Sequence, residues 1–88
     1  MTTADSAPTV DDAFVDALVT YVGTEIAPAG SSVATDTDLL LTGLVDSVGV
    51  VMIVGFIEDR LGTTIDPGDV VLEHFQTVDA MVEYLRTR

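Results

Sequence analysis

The sequence predicts an all-α fold, a four-helix bundle with three longer helices, one short third helix and a long connection between the first two. Three observations carry this reading. Apolar residues recur at three- and four-residue spacing in separate segments. Pro28, Gly62 and the Asp66-Pro67-Gly68 turn break that pattern into pieces. No run of alternating apolar and polar residues competes as a strand.

The 88 residues suffice for one small domain, placed at residues 9–88 after a flexible lead at residues 1–8. They do not suffice for an enzyme cleft with walls of its own, so a non-catalytic role is expected. Fifteen acidic residues stand against three Arg and no Lys, a formal net charge of −12. Nucleic acid is an unsuitable partner for such a chain, because phosphate neutralisation needs clustered cations; basic protein surfaces suit it better. The 48% hydrophobic content argues for a packed core in spite of the charge. The absence of Cys removes disulfides, thiolate metal sites and a Cys nucleophile. No apolar run reaches the ~18 residues of a membrane span, and no basic stretch followed by an apolar one marks a signal peptide. A soluble, cytoplasmic monomer is expected.

Along the chain, Thr9 followed by Asp12 opens the first helix as a variant of the capping box. Asp11, Asp12 and Asp16 suit the positive end of its dipole. Val10, Phe14, Leu18, Tyr21, Val22 and Ile26 keep helical spacing to about Ala27, where Pro28 ends the helix. The connection from Pro28 to Asp46 is too broken for a long helix, apart from one turn near Asp38 to Leu41. Leu40 and Leu44 are expected to pin it. The second helix starts at Ser47 or Val48 and stops before Gly62, a natural left-handed cap. Its core stripe is Val50, Ile53, Val54, Ile57 and Leu61, which leaves Val48, Met52, Gly55, Phe56 and Asp59 facing outward. Gly49 and Gly55 each cost a helix about 1 kcal/mol relative to Ala, so close approach of another group is expected there. A short third helix from about Asp69 to Glu73 ends near Phe75, and Thr77 caps a fourth that carries Val78, Met81, Val82 and Leu85.

The order Gly43, Asp46, Ser47, Val48, with Glu58-Asp59 and Leu61-Gly62 behind it, resembles the phosphopantetheine attachment site of acyl and peptidyl carrier proteins. The resemblance extends from Val10 to Leu85. It takes in the loop Thr-Asp-Thr-Asp-Leu-Leu-Leu-Thr-Gly-Leu-Val-Asp-Ser, the Ile-Asp-Pro-Gly-Asp turn and the Phe-Gln-Thr-Val-Asp-Ala-Met start of the last helix. The Gly-Leu-Val-Asp-Ser form is most similar to stand-alone peptidyl, aminoacyl and D-alanyl carriers.

The resemblance implies that Ser47 accepts 4′-phosphopantetheine from coenzyme A in a separate phosphopantetheinyl transferase, which with its Mg²⁺ supplies the catalysis. Asp46 would be read by that transferase. The arm would carry an acyl or aminoacyl thioester in polyketide, nonribosomal peptide or related secondary metabolism, including antibiotic biosynthesis. Its implied partners are an adenylating or acyl-transferring loading enzyme and a downstream condensing or transferring enzyme. They would dock on Asp46, Val48, Met52, Gly55, Phe56 and Asp59, with Leu44 at the edge. The chain departs from the fatty-acid carriers in placing Met52 and Phe56 where those carry Glu.

Plainer readings stand beside these. Ser47 also fits an ordinary helix cap, and Val48, Met52 and Phe56 fit the core if the helical phase differs by one position. His74 has no second ligand or base near it in sequence, and Asp36-Thr37-Asp38 lacks the Gly and Glu of a calcium loop. The alternative function is a non-covalent acidic helical adaptor that uses the second helix only for docking. A hydrolase built on Ser47 would need a base and an oxyanion site that the sequence does not assemble.

Overall fold

The computed structural model describes residues 10–87; the expected lead at residues 1–8 and the Thr9 cap lie outside them. Helix α1 spans Asp12–Tyr21 and runs on into a π-helical turn, Val22–Ile26. Helix α2 spans Ser47–Leu61, a 3₁₀ turn covers Pro67–Asp69, α3 covers Leu72–Phe75 and α4 covers Val78–Thr87. No strand occurs among the described residues.

Asp11 caps α1, its carboxylate accepting the Phe14 N–H at 2.9 Å. Phe14, Leu18 and Val22 follow at four-residue spacing and are buried. The helix widens before it stops: the Ala27 N–H donates to the Val22 carbonyl five residues back at 2.8 Å. Ala27 then turns extended, as the residue before Pro28 must.

The connection over residues 28–46 is irregular but tied down. The Leu39 N–H donates to the Gln76 carbonyl at 2.8 Å, and the Asp79 N–H to the Thr35 carbonyl at 2.9 Å. Leu39 and Val45 are the buried anchors, whereas Leu40 and Leu44, expected in that role, are half-buried at the margin of the core. Without a helical period in this segment, nothing local distinguishes adjacent leucines. The expected helical turn at residues 38–41 is a non-helical turn closed by the Asp38 side chain, which accepts the Leu41 N–H at 2.9 Å.

The core joins Phe14, Leu18 and Val22 of α1, Ile53 and Ile57 of α2, Ile65, Phe75 and the inner face of α4, where Val78, Met81, Val82, Tyr84 and Leu85 are all buried. Each such side chain contributes on the order of 1.5–3 kcal/mol by leaving water. No buried polar or charged residue interrupts the packing among the described residues. Thr77 caps α4 as expected, accepting the Ala80 N–H at 2.9 Å.

The third helix forms later than its sequence suggests. Asp66-Pro67-Gly68-Asp69 makes the 3₁₀ turn, with the Asp66 carboxylate accepting the Gly68 N–H at 2.8 Å, and α3 follows at Leu72. The Tyr84 hydroxyl donates to the Asp69 carboxylate at 2.7 Å, and His74 stacks on the Tyr84 ring with centroids 4.6 Å apart. His74 Nδ1 lies 2.9 Å from the Asp69 carbonyl, which makes Nδ1 the protonated nitrogen. His74 therefore fastens the turn to α3 and α4.

Candidate functional site

Helix α2 begins with Asp46 as its N-cap, extended at φ −99° and ψ −172°, its carboxylate accepting the Gly49 N–H at 2.9 Å. The cap is thus Asp46 and not Ser47. Ser47 occupies the first helical position, exposed, with no hydrogen bond to its hydroxyl among the described residues. The first bond of the ladder runs from the Val50 N–H to the Asp46 carbonyl at 2.9 Å. With Gly49 taken by the cap, the Ser47 and Val48 N–H groups have no acceptor among the described residues. An anionic group on the Ser47 hydroxyl would meet them and the positive end of the helix dipole.

Beside Ser47 lies a groove of roughly 400 Å³ between the connection, α2 and α3, lined by Leu40, Val50, Val51, Val70, Val71, Leu72 and Phe75. Ser47 is its one polar side chain. A second hollow of roughly 350 Å³ continues along α2 past Val51, Val54, Ile65, Pro67 and Val70 to Glu58. Val51 and Val70 line both, so an apolar band leads away from the hydroxyl along one side of the helix.

The outward face of α2 carries Val48, 66% exposed, Val51, 70% exposed, and Met52, 37% exposed, with Gly55 and Asp59 beyond them. Asp46 is exposed and Leu44 half-buried. Phe56 requires a correction. Expected on the outward face, it is half-buried, and its ring stacks on Tyr21 of α1 with centroids 4.4 Å apart and planes at 19°. The Arg60 guanidinium lies 5.5 Å from the same ring. The buried line of α2 is Gly49, Ile53 and Ile57, rotated toward α1 from the stripe centred on Val50 and Val54. A glycine gives no hydrophobic signal, so the stripe read from side chains alone misses the side on which Gly49 touches the bundle.

Val51 and Leu72, which line the groove beside Ser47, escaped the sequence reading, as did Leu41 of the connection; all three are exposed. Val51 was legible, since it stands four residues after Ser47 and so on the same face. Leu41 and Leu72 belong to segments without a period. Glu58 is also more than a surface charge: its carboxylate accepts the Ile65 N–H at 2.8 Å and holds the chain after α2.

The bundle thus exposes an unengaged serine at the start of α2, beside an apolar groove. The family model for the phosphopantetheine attachment site matches residues 15–85, so the chain belongs to the family of phosphopantetheine-bearing carrier proteins, whose cofactor is 4′-phosphopantetheine. Comparison with curated proteins finds no match, and neither does comparison with solved structures. Carrier domains of this family are generally non-catalytic and work with a phosphopantetheinyl transferase and with enzymes that modify the carried group. No helix among the described residues is long and apolar enough to cross a membrane.

Proposed function

We propose that Ser47 is the hydroxyl that receives 4′-phosphopantetheine and that the chain presents an acyl or aminoacyl group to biosynthetic enzymes of polyketide, nonribosomal peptide or related secondary metabolism. The observation that carries this is the state of Ser47: first residue of α2, exposed, its hydroxyl unengaged and the following N–H without an acceptor among the described residues. In the transfer, the Ser47 oxygen attacks the β-phosphorus of coenzyme A. The P–O bond to the nucleotide breaks, 3′,5′-ADP leaves, and the serine proton passes to a base of the transferase. When bound, the arm supplies a terminal thiol that holds the cargo as a thioester, which this Cys-free chain could not do otherwise.

The chain's own residues orient the hydroxyl. Asp46 fixes the first turn through its bond to Gly49, and its free edge remains exposed for a basic residue or metal of the transferase. Loading and downstream enzymes reach the arm over Val48, Val51, Met52 and Gly55, with Asp59 and Leu44 at the margins. An apolar side chain buried on docking contributes on the order of 1.5–3 kcal/mol, and an exposed ion pair about 0–1 kcal/mol. Apolar contact therefore dominates recognition, and the acids mainly speed encounter.

Incubation with coenzyme A, Mg²⁺ and a promiscuous phosphopantetheinyl transferase, followed by intact-mass spectrometry, tests the assignment. One phosphopantetheine is expected on the wild type and none on Ser47→Ala, with helical circular dichroism unchanged. Loading of Ser47→Ala would remove the assignment; a wild type that stays unmodified would leave the non-covalent adaptor.

A further inference from the structure

We infer that Gly49 is a positioning residue for Ser47: the absence of a side chain there lets the end of α1 and the end of the connection close on the first turn of α2 and fix where the hydroxyl points. This inference rests on the attachment role proposed for Ser47.

The two interior glycines of α2 have opposite surroundings. A Cβ on Gly55 would meet nothing within 4 Å, whereas one on Gly49 would lie 2.8 Å from both Ile26 Cγ2 and Val45 Cγ1. Those two carbons sit on β-branched side chains with few rotamers to retreat into. Neither residue is free to withdraw as a whole. Val45 is buried and its N–H is bonded to the Leu39 carbonyl at 2.9 Å, and Ile26 closes the π-helical turn of α1. The Gly49 N–H is held in turn by the Asp46 carboxylate.

Gly49 is therefore the point where the helix cap, the connection and α1 meet, two residues from Ser47. A methyl group there must push the first turn of α2 outward or rotate it. Transfer to phosphorus is sensitive to such a change, since a misplacement of about 1 Å at the reacting atom can cost on the order of 100-fold. Val51 and Met52, which lie beyond the first turn on the same helix, keep their place in the surface that a transferase grips. The effect should accordingly fall on kcat and not on KM.

The test measures steady-state loading of the full chain by a phosphopantetheinyl transferase with coenzyme A and Mg²⁺. Gly49→Ala should lower kcat at least about tenfold while the KM for the carrier stays within about twofold. Gly23→Ala serves as control, because a Cβ there meets nothing within 4 Å. The double variant Gly49→Ala/Val45→Ala removes one of the two obstructing carbons, with Ile26 Cγ2 still in place, and should recover kcat part of the way toward that of Val45→Ala alone. If Gly49→Ala does not fold, as read by circular dichroism, the double variant carries the decision. Gly49→Ala loading at the wild-type kcat, or a folded double variant as slow as the single one, overturns the inference. A wild type that does not load at all overturns the role of Ser47 first and this inference with it.

Discussion

Tyr21 and Phe56 stack face to face between α1 and α2, their centroids 4.4 Å apart, and Ile26, in the turn that prolongs α1, meets Gly49 near the start of α2. The two contacts show that the helices run in opposite directions and that the aromatic pair fixes their spacing. Phe56→Ala should destabilise the domain by about 1–3 kcal/mol, less than a fully buried Phe because the ring is half-exposed. A double-mutant cycle with Tyr21→Ala should return a coupling of roughly 0.5–1.5 kcal/mol in urea denaturation. Additive effects would show that the rings merely lie near each other.

Glu58 acts within the fold. Its carboxylate holds the Ile65 N–H across the turn that follows α2, and Ile65 is buried. Glu58→Ala should cost about 1–2 kcal/mol by leaving that N–H without its acceptor, and Glu58→Gln, which keeps an oxygen in place, should cost less. Chemical denaturation of the two variants checks the order. Equal losses would assign the effect to charge alone.

How much of this was legible in the sequence depends on how local each cause is. Both ends of α2 follow from neighbouring residues, an Asp-Ser start and a glycine at φ 63° that closes it. Thr77 was found as a cap for the same reason. The face on which Phe56 lies is decided by Tyr21, thirty-five positions away, and no helical wheel of α2 contains that residue. The choice of Leu39 and Val45 over Leu40 and Leu44 depends on bonds to Gln76 and within the connection. The widening of α1 into a π-helical turn has no residue signature at all. At the candidate site, the serine was legible because its surroundings are sequential, and the groove was not, because the distant segment 70–75 supplies half of its lining.

Asp38 sets a pH dependence. The Gln76 side-chain amide donates to its carboxylate at 2.8 Å and the Leu41 N–H at 2.9 Å, and these bonds hold its pKa below the ordinary 3.8. A carboxyl with a lowered folded pKa contributes stability above its unfolded value and loses it as pH falls through the folded one. Wild type should therefore lose stability on acidification through and below the ordinary carboxylate range more steeply than Asp38→Asn. Urea midpoints measured down to about pH 3 would show it. Parallel curves for the two proteins would mean that Asp38 carries no such linkage.

The outward face of α2 predicts what loading enzymes read. Val51→Glu or Met52→Glu on the phosphopantetheine-bearing protein should weaken aminoacylation or acylation at least about tenfold, the loss of one buried apolar contact. Thermal stability should change little, since both side chains are exposed. Asp59→Asn should alter mainly the salt dependence of the rate. An Asp59 variant more damaged than either apolar one would reverse this order.

The backbone bonds from Leu39 to Gln76 and from Asp79 to Thr35 have a kinetic meaning. They fasten the two ends of a closed circuit of chain, residues 39–76, and all of α2 lies inside it. A helical bundle held only by neighbouring contacts can fray one helix at a time, but here the start of α4 cannot open without releasing the connection, and the connection cannot open without exposing Leu39. The amides of Leu39 and Asp79 should consequently exchange with deuterium as one cooperative unit with the inner face of α4. Closing the circuit is also the costly step in folding, because its loop entropy is lost before its bonds form. The irregular segment that precedes Ser47 is thus the part of the chain whose docking completes the domain.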